Sequence, residues 1–139
     1  MSQNHLIFLD WFFTIFHLAF SIFNLFGWIF RKTRRLNLYL LLITAFSWFV
    51  LGIKYGFGYC PLTDLHWKVL HHLKVYDLPY SYVKFVIDRF FGTNLNDRVV
   101  DNVVVGLFFL ALGFSLYFNI KDFNRKRKEK HLKSKQDCL

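Results

Sequence analysis

Cysteine is scarce in this sequence, with two residues among 139, and charged residues make up only 19% of the chain. Cys60 and Cys138 are too few for a disulfide framework and stand at no metal-ligand spacing. The sequence also lacks a nucleophile elbow, a P-loop, a dinucleotide fingerprint and an H-E-x-x-H motif. We therefore predict no catalytic residue, no metal site and no cofactor.

Apolar and aromatic residues are abundant instead. Hydrophobic residues make up 55% of the chain, 19 residues are phenylalanine, and the mean hydropathy is +0.29. A small soluble domain could not bury this much apolar surface, and the composition excludes a disordered chain or a collagen-like repeat. The sequence therefore predicts an all-α integral membrane protein.

Three long apolar segments, residues 7–30, 36–58 and 99–118, predict three transmembrane helices. Each reaches the ~20 residues that cross a hydrocarbon layer of about 30 Å, and backbone within lipid must satisfy its own hydrogen bonds. No basic residue precedes the first segment and no cleavage site follows it, so we expect it to be retained rather than removed as a signal peptide.

Basic residues are concentrated in the link Arg31–Arg35 and in the tail that begins at Asn119. The two segments carry net charges of +4 and +5, which together account for the whole +9. Because basic residues favour the cytoplasmic ends of spans, we expect the N-terminus outside and the C-terminus in the cytoplasm. Both segments adjoin membrane helices, so we expect contact with anionic lipid headgroups and not with nucleic acid.

Residues 59–98 are predicted to lie on the outer side as two short amphipathic helices, with an ordinary folded loop as the alternative. Thr63 or Asp64 can cap the first helix, while Pro79 and Gly92 bracket the second. The second helix is too short and too charged to be a fourth span. Residues 1–120 are thus the predicted membrane domain, followed by a basic, partly disordered tail over 121–139.

One face of the first predicted span is polar. Five residues lie within about 80° of one another around a helix: Asp10, Thr14, His17, Ser21 and Asn24. Polar groups avoid lipid, so this stripe should face protein or a cavity. It either joins helices by hydrogen bonds or lines a ligand or ion pathway. A haem would need a second axial histidine at the depth of His17, and the other candidates lie near the outer surface.

Each apolar segment contains one charged residue, and all three charges are expected at one depth near the outer boundary. Asp10 or Asp101 is therefore predicted to pair with Lys54, unless Lys54 extends to the headgroups. His66 falls among the apolar residues of its helix and should point toward the bundle or the membrane. The candidate ligand-binding residues are Asp10, Thr14, His17, Lys54, Cys60, Asp64, His66 and Asp101.

Small residues predict close helix packing. Gly52 and Gly56 form a G-x-x-x-G on the second span, which can serve the bundle or a dimer contact. On the third span, one face carries Asn102, Gly106, Phe109 and Gly113. We expect either a compact bundle or association with partner subunits.

The run His17-Leu18-Ala19-Phe20, followed by Asn24 and Gly27, and the later Cys60-Pro61-Leu62-Thr63 resemble a family of small bacterial multi-pass membrane proteins of unknown function. The resemblance covers about residues 7–118 and implies a bacterial inner-membrane protein. It marks His17, Cys60, Pro61 and Thr63 as motif positions without known roles. Three functions stay open: an accessory or structural subunit, a binder or transporter of a small ligand, and a membrane redox or haem protein.

Overall fold

A computed structural model describes residues 2–139, and within that range the chain forms helices and turns without a strand. The α-helices are α1 (Gln3–Phe26), α2 (Arg34–Phe46), α3 (Gly52–Tyr55), α4 (Pro61–His72), α5 (Tyr82–Phe91) and α6 (Asp97–Asp137). A π-helical segment, Ser47–Leu51, joins α2 to α3, so that Arg34–Tyr55 forms one continuous second span. α1, the second span and α6 are each long and apolar enough to cross a membrane, which confirms the predicted class.

The first two spans end earlier than the sequence predicts. α1 stops at Phe26 instead of residue 30, and the Asn37 side chain donates to the carbonyls of Phe23 at 2.8 Å and Asn24 at 3.1 Å at this end. These bonds satisfy backbone oxygens at the helix end and hold the start of α2 against it. The second span stops at Tyr55, and Gly56 follows with a φ of 105°.

The two predicted short helices are present. α4 begins at Pro61, as expected for a residue without a backbone N–H. α5 ends at Gly92, whose left-handed conformation, with a φ of 61°, is the common glycine C-cap. α4 packs against α1 and α5 packs against α6, so the segment is a helical cap on the bundle and not an ordinary loop.

The apolar core is small and lies between the second span and α6. Leu41, Phe108 and Ala111 form its centre, with Trp28 and Trp48 packed against them. Most of the large apolar side chains on the three long helices are exposed in the isolated chain. Such a surface is stable only when another apolar phase covers it, which agrees with a bilayer environment.

The glycine faces of both long helices do not pack against other helices as expected for a compact bundle in residues 2–139, and their alternative role in contact with another subunit stays a prediction. On α6 the buried residues are Val100, Phe108, Ala111 and Ser115; the face with Asn102, Gly106, Phe109 and Gly113 is exposed. Gly52 lies against Phe57, and Gly56 lies against the Tyr80 hydroxyl. The atoms nearest to this pair therefore belong to the turn after the second span and to the segment before α5.

The basic tail differs from its prediction as well. α6 continues without interruption to Asp137, so the expected partial disorder over 121–139 is corrected to helix. The tail is rich in Lys, Arg and Glu, which are good helix formers, and Arg125 lies 3.7 Å from Glu129 one turn later.

The contact between the end of α1 and α2 provides a test of this packing. A Cβ on Gly27 would lie 2.6 Å from the Phe23 carbonyl oxygen and 2.8 Å from the Asn37 amide nitrogen. We expect Gly27→Ala to destabilise the protein by about 1–3 kcal/mol, the usual cost of overpacking, in thermal unfolding in mild detergent. The matched control is Gly106→Ala, where the added methyl meets open space and no loss is expected; equal stability of the two variants would contradict the packing.

Candidate functional site

The polar stripe of α1 is the buried face of that helix. The buried residues of α1 are Asp10, Thr14, His17 and Asn24, and all four belong to the predicted stripe. Ser21, the fifth member, is half-buried. The prediction that this stripe faces protein is therefore confirmed.

A buried carboxylate, Asp10, is the centre of the part of this face nearest the N-terminus. Arg89 of α5 forms a bidentate salt bridge with it, with one guanidinium nitrogen 2.8 Å from each carboxylate oxygen. His66 of α4 contacts Oδ1 through Nε2, also at 2.8 Å. Asp10 is 6% exposed and His66 is fully buried, so one carboxylate of α1 fixes both helices of the cap.

The hydrogen bonds continue from His66 to Tyr82 at the start of α5. An ionised carboxylate can only accept, so Nε2 of His66 donates to Asp10. In neutral His66 the other nitrogen, Nδ1, is then an acceptor, and the Tyr82 hydroxyl donates to it over 2.9 Å. We name Asp10, His66, Tyr82 and Arg89 the Asp10 cluster.

The protonation behaviour of the cap residues reflects burial opposed by pairing. Burial lowers the pKa of His66, while the adjacent Asp10 carboxylate opposes that shift. Burial likewise raises the pKa of Tyr82 to about 12. The hydrogen bonds to Asp10 raise the pKa of Arg89 further above its ordinary value. The cap thus favours neutral His66, neutral Tyr82 and charged Arg89.

Aromatic side chains surround the cluster and separate it from its surroundings. The Arg89 guanidinium lies 4.8 Å from the centre of the Trp11 ring, a distance typical of a cation–π contact. The His17 ring stacks on Tyr82 with 3.8 Å between ring centres. His17 extends the polar face beneath the cluster, and its buried Nδ1 has no hydrogen-bond partner in residues 2–139.

The predicted ion pair of Lys54 is wrong. Lys54 is exposed and lies 5.4 Å from the centre of the Tyr55 ring, and within the described chain it forms no ion pair with Asp10 or Asp101. Asp101 is half-buried, again without an ion-pair partner in residues 2–139. The basic partner of Asp10 is therefore Arg89, where the sequence analysis predicted Lys54.

The other candidate residues are divided between the cluster and its surroundings. Thr14 lies on the same face, where its hydroxyl donates to the Asp10 carbonyl at 2.8 Å. Cys60 is a half-buried free thiol at the start of α4. Asp64 pairs with Lys68 on the exposed side of that helix at 3.0 Å. The structure therefore brings together Asp10, Thr14, His17 and His66, and leaves Lys54, Cys60, Asp64 and Asp101 apart.

Sequence reasoning missed Tyr82, Arg89 and a second buried charge on α5. Lys84 is buried and contacts Asp88, Asn94 at 3.3 Å and Asp97 at 3.4 Å. These bonds join α5 to the start of α6. The basic residues of the amphipathic segment, Lys84 and Arg89, were a usable signal. A basic residue on a helix that caps a membrane bundle can pair with an acidic residue buried in the bundle.

Comparison with known proteins identifies a family for this chain. The chain matches, over residues 7–120, the family described as Protein of Unknown function (DUF2784). It belongs to the DUF2784 family. The DUF2784 match includes all four residues of the Asp10 cluster and ends where the basic tail begins, and it lies within two residues of the resemblance noted from the sequence. No curated protein and no solved structure matches the chain.

Removal of Arg89 should reveal the dependence of the cap on Asp10. Breaking a buried ion pair leaves an uncompensated charge and costs roughly 3–5 kcal/mol; because the Arg89 side chain is 27% exposed, we expect about 2 kcal/mol from Arg89→Gln. The measurement is thermal unfolding in detergent, with Lys54→Gln as the control that should stay within about 0.5 kcal/mol. Equal losses in the two variants would show that Arg89 does not hold the cap.

Proposed function

We propose that this DUF2784 protein is an accessory or structural subunit of the bacterial inner membrane. The observation that carries the proposal is the closed Asp10 cluster. Both carboxylate oxygens of Asp10 already have donors from Arg89 and His66 at 2.8 Å. A carboxylate that accepts three hydrogen bonds from α4 and α5 is suited to hold the α4–α5 cap on the bundle.

The orientation we propose places the N-terminus outside and the C-terminus in the cytoplasm, with three crossings. The distribution of basic residues favours it, and so do contacts at the inner end. Arg34 of the link pairs with Asp122 of the tail at 2.8 Å, and Asn119 donates to the Arg34 carbonyl at 3.0 Å. These bonds hold both basic segments at the same end of the bundle, where we expect them to contact anionic headgroups.

The exposed face of α6 supports association with another subunit. Gly106 and Gly113 leave open space where a side chain would stand, and the exposed Asn102 shares their face. A polar side chain facing lipid is unfavourable, whereas small residues and an amide suit contact between helices. We propose this face as the site of a homo-oligomer or a partner membrane subunit.

A small-ligand function is the second candidate, and His17 favours it. Its Nδ1 is buried without a partner beneath Tyr82, and an unsatisfied buried nitrogen is costly. A ligand that offers a hydrogen bond would remove that cost. In this alternative, Thr14 and His17 contact the ligand while the Asp10 cluster closes the site above them.

Reporter fusions test the orientation. A reporter that is active only in the cytoplasm should work when it is fused after Leu139 and fail when it is fused after Thr93, because the second fusion point follows two crossings. The reverse pattern would contradict the proposed orientation. Expression of each fusion is checked by immunoblot, so that absence of signal is read only from protein that is made.

Mass spectrometry of the intact protein in mild detergent tests the subunit function. We expect a second copy or a partner chain, lost in Gly106→Leu because the new side chain fills the open face. Ala19→Leu, an equivalent enlargement on the exposed side of α1, should retain the partner. A solitary chain that retains a small molecule, lost in His17→Phe, would instead establish the ligand-binding alternative.

A further inference from the structure

The inner end of the bundle carries two adjoining cavities of about 590 and 600 Å³. They share four lining residues: Arg31, Arg34, Asp122 and Arg125. The first cavity also has Lys121 and Lys128 in its wall, and the second has Lys32, Arg35 and Lys126. Eight basic side chains and one acidic one therefore line two spaces that share part of their walls.

Most of this charge has no acidic partner. Asp122 accepts from Arg34 at 2.8 Å, and Arg34 also donates to the Trp28 carbonyl at 2.9 Å. The one acid in the walls is thus paired with a residue that is fixed by the fold. Within residues 2–139 the remaining lining cations form no ion pair except the loose 3.7 Å contact of Arg125 with Glu129, so each cavity attracts anions.

The walls also present exposed apolar surface. Tyr117 and Ile120 border the first cavity, and Tyr39 and Phe123 border the second; each of the four is more than half exposed. These residues lie where the apolar part of the second span and of α6 gives way to the basic segments. A soluble anion would gain nothing from them, whereas a lipid would bind the cations through its headgroup and the aromatic rings through its acyl chains.

We propose that these cavities together bind one anionic phospholipid that carries two phosphate groups, one in each cavity, with Arg31 and Arg125 between them. This inference deepens the proposed contact of the basic segments with headgroups, replacing diffuse attraction by a defined site. Two phosphates on one lipid match two adjoining basic cavities, and basic pockets at the cytoplasmic side of membrane helices are the usual site for such headgroups. Arg34 positions the wall, since its Nε donates to the Trp28 carbonyl and its Nη1 donates to Asp122.

The test measures lipid retained by the full chain in mild detergent, using cardiolipin as the two-phosphate probe and phosphatidylglycerol as the one-phosphate probe. We expect cardiolipin to bind with a stoichiometry of one and more tightly than phosphatidylglycerol. The double variant Arg31→Gln/Arg125→Gln should weaken cardiolipin binding at least about tenfold, given roughly 1 kcal/mol for each basic residue near a headgroup. Thermal unfolding of the variant in the same detergent verifies that the bundle is intact.

The matched control is Lys130→Gln/Lys133→Gln, which removes the same charge from α6 beyond both cavities. Unchanged binding in this control supports a defined site, whereas an equal loss in both double variants overturns it in favour of diffuse attraction. Equal affinity for the two lipids overturns the two-phosphate assignment. Displacement of cardiolipin by free pyrophosphate overturns the lipid assignment in favour of a soluble anion. The reporter fusions and partner analysis are read separately, so either proposal can fail while the other stands.

Discussion

A carboxylate near the start of an apolar helix must be compensated, and the half of the molecule that contains α4 and α5 is arranged around that requirement. Asp10 cannot stay ionised among apolar side chains without donors, because removal of a charge from water is expensive. Its donors come from two short helices that follow it in sequence by 56 and 79 residues. The compensation of one charge thus determines where α4 and α5 lie, and Lys84 fixes the second of them to α6.

Charged side chains are compensated in different ways at the two ends of the bundle. At the end that carries the α4–α5 cap, the buried charges Asp10 and Lys84 are paired within the protein, and the Asp10 cluster is enclosed by Trp11, Phe13 and Phe85. At the opposite end, which carries the basic link and tail, cations greatly exceed anions and line open cavities. The buried charges of the cap are therefore compensated within the chain, whereas most of the cations around the cavities have no acidic partner within residues 2–139.

Features that depend on a single helix could be predicted from the sequence. The polar stripe of α1, the inward position of His66 and the glycine that ends α5 each depend on helical periodicity or on backbone conformation. The partner of Asp10 was not readable in this way, because Lys54 and Arg89 are equally plausible until the path of the cap is known. The open face of Gly106 illustrates the same limit of sequence analysis. Small residues indicate that another helix can approach closely, but they do not identify that helix. The tail was misjudged because low apolar content predicts disorder, although the residues themselves favour helix.

The continuity of α6 links regions that the membrane would otherwise separate. A helix of 41 residues, at 1.5 Å per residue, measures about 62 Å, roughly twice the thickness of the hydrocarbon layer. Its first residue, Asp97, contacts Lys84 of the cap, and its last turns project beyond the cavities as a stiff rod. A continuous helix transmits a tilt along its length. A protein or surface that tilts the exposed tail therefore also tilts the span, and Asp97 at the opposite end is displaced because no turn interrupts α6.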